Sequence, residues 1–216
     1  MRLFHGRIVG DNCLPNHFRM IVSGPSGSGK TTWVEQFIKS KRIQQPIKHI
    51  YYVYPDDFDE PPVDWDKWTD VVVTYVPFMP DIAFFKTMSQ DSLIVFDDNF
   101  DQAIKSPSIS QALRIHSRRK FSVILITQMF YEGGPFSRVI RNQLNAVVLY
   151  RNFGDIQINR RIASQLGVRE QFLQAEKSTE NIKFDPIVIL SNEIVNCPSM
   201  RVQTNYLADN ISYCYS

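Results

Sequence analysis

The chain has 216 residues, 44% of them hydrophobic and 21% charged, with a formal net charge of +2. That length suffices for one domain with a sizeable core, and the composition excludes a globally disordered polypeptide. No apolar run reaches the ~18 residues of a membrane span, and the first ten residues carry no long apolar core of the signal-peptide kind. The expectation is a soluble, intracellular protein with no membrane partner.

In chain order, Phe18 to Ser23 is a short apolar strand running into a glycine-rich turn. A helix is predicted from Lys30 to about Lys41, with Trp33, Phe37 and Ile38 toward the core. Ile47 to Tyr54 reads as a strand closed by Pro55, and Asp56 to Asp70 as an acidic, proline-containing loop. Val71 to Val76 is a β-branched strand. Asp81 is placed to cap a short helix over Ile82 to Met88. Ser92 to Phe96 is a buried strand that ends in Asp97-Asp98, and Ser108 to His116 is helical. Phe121 to Thr127 and Ala146 to Tyr150 are further strands. Helices follow over Ile156 to Gln165, stopped by Gly167, and over Arg169 to Lys177. Pro186 to Leu190 is the last clear strand. The division predicted is a lead-in over 1–17, an α/β domain over 18–195 and an irregular tail over 196–216. Strands alternating with helices imply a three-layer α/β fold with a mainly parallel central sheet.

Three cysteines, Cys13, Cys197 and Cys214, lie far apart without a CxxC pair, as expected of reduced thiols. The charge is unevenly spread. Pro55 to Asp101 holds twelve acids against two lysines, and Gln111 to Arg161 holds nine Arg/Lys against Glu132 and Asp155. Such a basic block suits either a nucleic-acid backbone or a solvated face with the ion pairs of a nucleotide site.

Gly24-Pro25-Ser26-Gly27-Ser28-Gly29-Lys30-Thr31 fits G-x-x-x-x-G-K-[ST] at every fixed position, after a strand and before a helix. Its glycines let backbone N–H groups converge on phosphate oxygens, and the helix start adds uncapped donors. Lys30 would reach the β- and γ-phosphates of ATP, the Thr31 hydroxyl would ligate Mg²⁺, and Thr32 completes the binding segment. Leu93 to Phe96 followed by Asp97-Asp98 places two carboxylates at a strand end. There Asp97 would hold the Mg²⁺, partly through water, and Asp98 would orient and deprotonate the attacking water. Thr127-Gln128 ends another buried strand in an amide suited to sensing the γ-phosphate. Arg119, Arg138, Arg160 and Arg161 are the candidates for an arginine supplied to a neighbouring subunit's γ-phosphate.

The order of strand, phosphate loop, Asp97-Asp98 and Thr127-Gln128 resembles the FtsK/HerA superfamily of additional-strand, RecA/FtsK-like P-loop NTPases. Within it, the chain resembles the poxvirus-type genome-packaging ATPases of DNA viruses and virus-like transposons. His116 to Phe130 carries the resemblance most clearly, as basic stretch, strand, Thr-Gln and aromatic; Phe136 to Asn145 and Val147 to Asn152 extend it. The resemblance covers roughly Phe18 to Gly167. It implies an ATPase that drives double-stranded DNA into a capsid as a homo-oligomeric ring, in the host cytoplasm or nucleus or with the virion. It also implies ATP and Mg²⁺ on Lys30 and Thr31, hydrolysis by Asp97 and Asp98, Gln128 as sensor, and a basic role for Arg119 and for Arg160 or Arg161. The chain departs from the pattern in two places: the second acid is Asp rather than the commoner Glu, and Phe153-Gly154-Asp155 follows Asn152 where members often carry a basic residue.

Other readings share the loop. Gly-Pro-Ser-Gly-Ser-Gly-Lys also suits a nucleoside, nucleotide or nucleic-acid kinase, although tandem strand-end acids fit hydrolysis better. A Leu-Ser-Gly-Gly transporter signature and the Asn-Lys-x-Asp of GTPases are absent from the sequence. A non-catalytic, nucleotide-dependent DNA-binding or assembly module would use the same loop and basic block.

Overall fold

Every residue of Ser92–Asp97 is buried, as a strand covered on both faces by its layers must be. In the computed structural model, which describes residues 5–8, 13–40, 42–55, 60–67, 71–119, 121–131, 133–180, 182, 184–208 and 212–215, this strand lies inside one of two compact units. For 5–8 and 115–119 only the backbone is described. Parts of the predicted acidic loop and of the predicted tail lie outside the described residues.

One unit spans 14–21 and 43–144. It contains the start of β2 (Arg19–Ser23), β3 (His49–Val53), β4 (Val72–Val76), α2 (Ile82–Thr87) and β5 (Ser92–Asp97). It continues with α3 (Phe100–Ala103), α4 (Pro107–Arg119), β6 (Ser122–Thr127) and α5 (Ser137–Gln143). The strand order is β2-β6-β5-β3-β4. β3 pairs in parallel with β4 and β5, and β5 with β6. β6 sits between the strand that feeds the glycine-rich turn and the strand that ends in the acid pair, which is the additional-strand arrangement expected from the sequence. Asp81 caps α2, accepting from Phe84 N at 2.8 Å; loss of such a cap costs about 1 kcal/mol.

The other unit spans 1–13, 22–42 and 145–216. It holds the end of β2, α1 (Lys30–Lys39), β7 (Ala146–Leu149), α6 (Ile156–Gln165), α7 (Arg169–Ser178), β8 (Ile187–Leu190), β9 (Val202–Thr204), β10 (Ser212–Tyr215) and β1 (His5–Ile8). Its order is β2-β7-β8-β9-β10-β1, antiparallel from β7 to β1. The sheet is therefore mixed, parallel around the acid pair and antiparallel outward from β7. Helices flank the strands; α7, for example, packs on β8, β9 and β10. α6 begins where Asp155 accepts from Gln157 N and Ile158 N at 3.1 and 3.2 Å. It stops where Gly167 takes φ +70°, a left-handed turn that glycine adopts without strain.

Three expectations change. The predicted tail is not irregular throughout, because it supplies β9 and β10. Gln203 in β9 is fully buried, its amide donating to Met200 O at 2.7 Å, so a polar residue that reads as exposed is satisfied inside. The lead-in supplies β1, which pairs with β10. On α1 the buried face is Trp33, Val34 and Phe37, while Ile38 is only half-buried. Trp33 and Phe37, one turn apart, stack at 5.4 Å.

Candidate active site

The glycine-rich turn leaves β2 at Ser23, whose carbonyl accepts from Tyr150 N at 2.9 Å. Gly24 follows, buried against Tyr150. A Cβ at Gly24 would lie 2.4 Å from the Tyr150 Cβ, so no other residue fits without moving the strand. Gly27 and Gly29 have φ +71° and +90°, a conformation that L side chains rarely adopt. Ser28 N donates to Pro25 O at 3.2 Å, and Gly29 O accepts the first helical bond, from Trp33 N at 2.9 Å. The same carbonyl accepts from the Tyr150 hydroxyl at 3.2 Å. Tyr150 is fixed in turn by Asn159, whose amide donates to Tyr150 O at 2.8 Å. Two sequence-distant residues thus brace the loop.

Lys30 is buried, and its Nζ donates to Gly24 O and Pro25 O, each at 3.0 Å. The ammonium is held within the curl of the loop rather than extended into solvent. α1 has no side-chain cap at Gly29 and no acid in its first turn, so nothing negative competes there for the partial positive charge of the helix start. Ser26, Gly27 and Thr32 are exposed, and Thr31 is half-buried.

The acid pair lies in the other unit. Asp97 is the last residue of β5 and buried, and its register partner on β6 is Ile126. The strand end Thr127-Gln128 therefore emerges beside Asp97-Asp98. The Tyr52 hydroxyl donates to Asp97 Oδ2. Burial first, and the Asp97 charge second, push the Tyr52 phenol far above its usual range, so it is a neutral donor at any ordinary pH. Asp98 is exposed and takes φ +50°, a strained setting for a non-glycine residue in which Asp is among the better tolerated. Gln128 Nε2 donates to Asp98 Oδ2 at a long 3.5 Å. The turn beneath it is pinned by Thr127, whose hydroxyl accepts from Met129 N at 3.0 Å and lies 3.1 Å from Met129 O.

The structure thus brings Asp97, Asp98 and Gln128 together in one unit, and gathers Gly24 to Thr32 in the other. Arg119 and Arg138 belong to the unit of the acid pair, and Arg160 and Arg161 to that of the loop. Arg160 is engaged: its Nε and Nη2 donate to Glu176 Oε2 at 2.9 and 2.7 Å. Arg138 on α5 and Arg161 on α6 are exposed. Arg119 ends α4, and its side chain lies outside the described residues. The Phe153-Gly154-Asp155 departure has a local cause. Asn152 Oδ1 accepts from Gly154 N and Asp155 N at 3.0 and 3.2 Å, and Asp155 caps α6. Tyr52 and Tyr150 were missed from sequence because tyrosines in apolar strands read as core.

No family model matches the chain. Over 107 residues it is 26% identical to packaging protein 1 of snake adenovirus serotype 1, a match that takes 43% of this chain and 24% of that protein. The chain thus spans about a quarter of the length of that curated relative. The genome packaging NTPase B204 of Sulfolobus turreted icosahedral virus 2, solved with AMPPCP, superimposes with a TM-score of 0.55 at 16% identity, covering 83% of this chain and 96% of that one. B204 of Sulfolobus turreted icosahedral virus, a DNA-packaging ATPase, gives 0.53 at 18% identity, covering 83% and 95%. At these identities the likeness establishes the fold. The chain has the P-loop NTPase fold, and the proteins named in both comparisons are viral packaging proteins.

Proposed function

We propose that the chain is an ATP-hydrolysing motor that translocates double-stranded DNA and packages a viral genome into a capsid. The observation that carries the proposal is the pairing of features at two strand ends: Lys30 folded into a complete phosphate loop after β2, and Asp97-Asp98 beside Gln128 after β5 and β6. The packaging proteins to which the chain is similar, one of them solved with an ATP analogue, support the same reading.

In this reading the loop's backbone N–H groups and the start of α1 bind the triphosphate, and Lys30 turns from two carbonyls to the β- and γ-phosphates. Asp97 and the Thr31 hydroxyl are hard oxygen donors of the kind Mg²⁺ takes. When bound with the nucleotide, Mg²⁺ neutralises charge on the β- and γ-phosphate oxygens. Tyr52 holds Asp97 in one rotamer for that contact. Asp98 orients the attacking water and accepts its proton; Gln128 orients Asp98 and reports the state of the γ-phosphate. Arg138, Arg161 and Arg119 are the candidates for an arginine acting on a neighbouring subunit in a homo-oligomeric ring. Arg160 is the weakest candidate, since Glu176 holds it within its own unit. The partners are double-stranded DNA, further copies of the chain and capsid components. The place of action is the infected cell or the assembling virion. Among the described residues no helix is long and apolar enough to cross a membrane.

The test is Lys30→Ala in the full chain. ATP binding and hydrolysis should both be lost; wild-type turnover in that variant would sink the proposal. Transfer of phosphate to a nucleoside in place of hydrolysis would assign the loop to a kinase.

A further inference from the structure

A cavity of about 650 Å³ lies in the same unit as the phosphate loop, within the size range of small-molecule sites. It is lined by Trp33 and Gln36 of α1, by Phe184 and Asp185, and by Asn205, Leu207 and Tyr213. Phe184 connects this cavity to the loop, for a Cβ built on Gly29 would meet Phe184 Cδ1 at 3.6 Å. Trp33 and Gln36 stand one and two turns beyond Lys30, about 4.5 and 9 Å along the helix axis. A ligand whose phosphates rest on Gly24 to Thr31 has this cavity as a neighbour.

The chemistry of the walls is selective. The described lining residues include no lysine or arginine, and the charged residue among them is Asp185. Both carboxylate oxygens accept from Asn205 N, at 3.1 and 3.2 Å, which fixes the orientation of the group. Trp33, Phe184, Tyr213 and Tyr215 supply four aromatic rings, set among neutral polar and aliphatic side chains. Phe184 is held at φ +69°, a conformation a bulky residue keeps only where its surroundings impose it. Aromatic faces beside neutral polar groups and one oriented carboxylate acceptor fit a planar heterocycle that carries an amino group.

We propose that this cavity holds the nucleobase of the nucleotide bound at Gly24 to Thr31, and that Asp185 selects adenine by accepting from its 6-amino group. The assignment rests on the nucleotide reading of the loop given above. It deepens that reading by naming the base and the residue that reads it. Asp185 and Leu207 are then binding residues and not merely structural ones.

The experiment is calorimetric binding of ATP, ITP, GTP and inorganic triphosphate to the full chain and to three variants, Asp185→Asn, Leu207→Trp and Lys30→Ala. ITP carries a 6-oxo group in place of the 6-amino group. Wild type should bind ATP about tenfold more tightly than ITP, the worth of one hydrogen bond to a charged acceptor. Asp185→Asn keeps an oxygen for Asn205 N and adds an amide donor, so the ATP-to-ITP ratio should fall to about one. Leu207→Trp fills the cavity and should weaken ATP about tenfold, with inorganic triphosphate unchanged. An ATP-to-ITP ratio unmoved by Asp185→Asn, or ATP unaffected by Leu207→Trp, would overturn the proposal. GTP bound more tightly than ATP would overturn the assignment to adenine. If those results came with ATP binding that Lys30→Ala abolishes, the base would lie elsewhere and the phosphate loop would stand. Failure of both ATP and triphosphate to bind wild type would sink the nucleotide reading itself.

Discussion

The Tyr52 hydroxyl donates to the Asp97 carboxylate across two neighbouring strands. The register explains the meeting: Tyr52 on β3 pairs with Val95 on β5, and Asp97 lies two residues further along the same face. Trp65 closes the arrangement from the side, its ring edge-on to Tyr52 at 4.8 Å. Asp97 is therefore oriented before any ligand arrives, at the position where the proposed mechanism needs a metal-facing oxygen.

Tyr52→Phe removes the donor and preserves the buried ring. The Mg²⁺ concentration for half-maximal hydrolysis should rise about 10- to 100-fold, the usual cost of losing a partner behind a metal ligand, and the thermal midpoint should fall by a few degrees as a buried acceptor loses its donor. The pH dependence has a fixed sign. A phenol whose pKa is raised in the fold contributes its stabilisation in full below the unfolded value near 10, and loses it only as pH rises through the folded value. Between pH 7 and pH 9, Mg²⁺ dependence in the wild type should not change on account of Tyr52. A Mg²⁺ titration of steady-state hydrolysis checks both.

Asp98→Asn keeps the size of the side chain and its tolerance of positive φ. ATP should still bind, but hydrolysis should fall by about 10²- to 10⁴-fold, the range for loss of a general base. Single-turnover measurements with pre-bound ATP separate the two effects. Rapid hydrolysis in this variant would move the base elsewhere.

Gly24→Ala would place a methyl 2.4 Å from the Tyr150 Cβ. The clash involves the root of a side chain, which cannot rotate away. The fold should lose about 1–3 kcal/mol, as in other overpacked sites, and nucleotide affinity should fall with it. Urea unfolding with and without ATP reads both losses.

Among the arginines, Arg138→Ala or Arg161→Ala should lower hydrolysis by about 10³-fold or more if that residue acts across a subunit boundary. The loss should be partly restored in mixtures with Lys30→Ala subunits, whose arginine is intact. Arg160→Ala should instead leave hydrolysis near wild type and lower the thermal midpoint slightly, because its half-exposed guanidinium is paired with Glu176. Hydrolysis rates across mixing ratios distinguish these cases.

Much of the fold was legible in the sequence because local chemistry and tertiary structure agree there. β5 and β6 are continuous apolar runs and proved fully buried. α6 has a capping Asp155 and a terminating Gly167, and spans Ile156–Gln165 as expected. The phosphate loop was visible because its glycines and lysine sit at fixed spacing. What stayed hidden depends on pairing between distant segments. β1 and β10 are four-residue strands that acquire their order from each other, and β9 buries Gln203 through a bond no periodicity shows. Tyr52 and Asp97 are 45 residues apart, and only the strand order brings them together. The same holds for Tyr150 against Gly24 and for Asp185 at the aromatic cavity.

If hydrolysis at this loop serves movement along DNA, as proposed, the basic block from Gln111 to Arg161 would supply its electrostatic contact. Steady-state ATP hydrolysis by the full chain, with and without double-stranded DNA over a range of salt, tests it most directly. DNA should raise the rate at low salt, the increase should decline steeply as salt displaces the phosphate contacts, and Lys30→Ala should abolish it. A rate indifferent to DNA at low salt, from a protein that still hydrolyses ATP, would contradict the account.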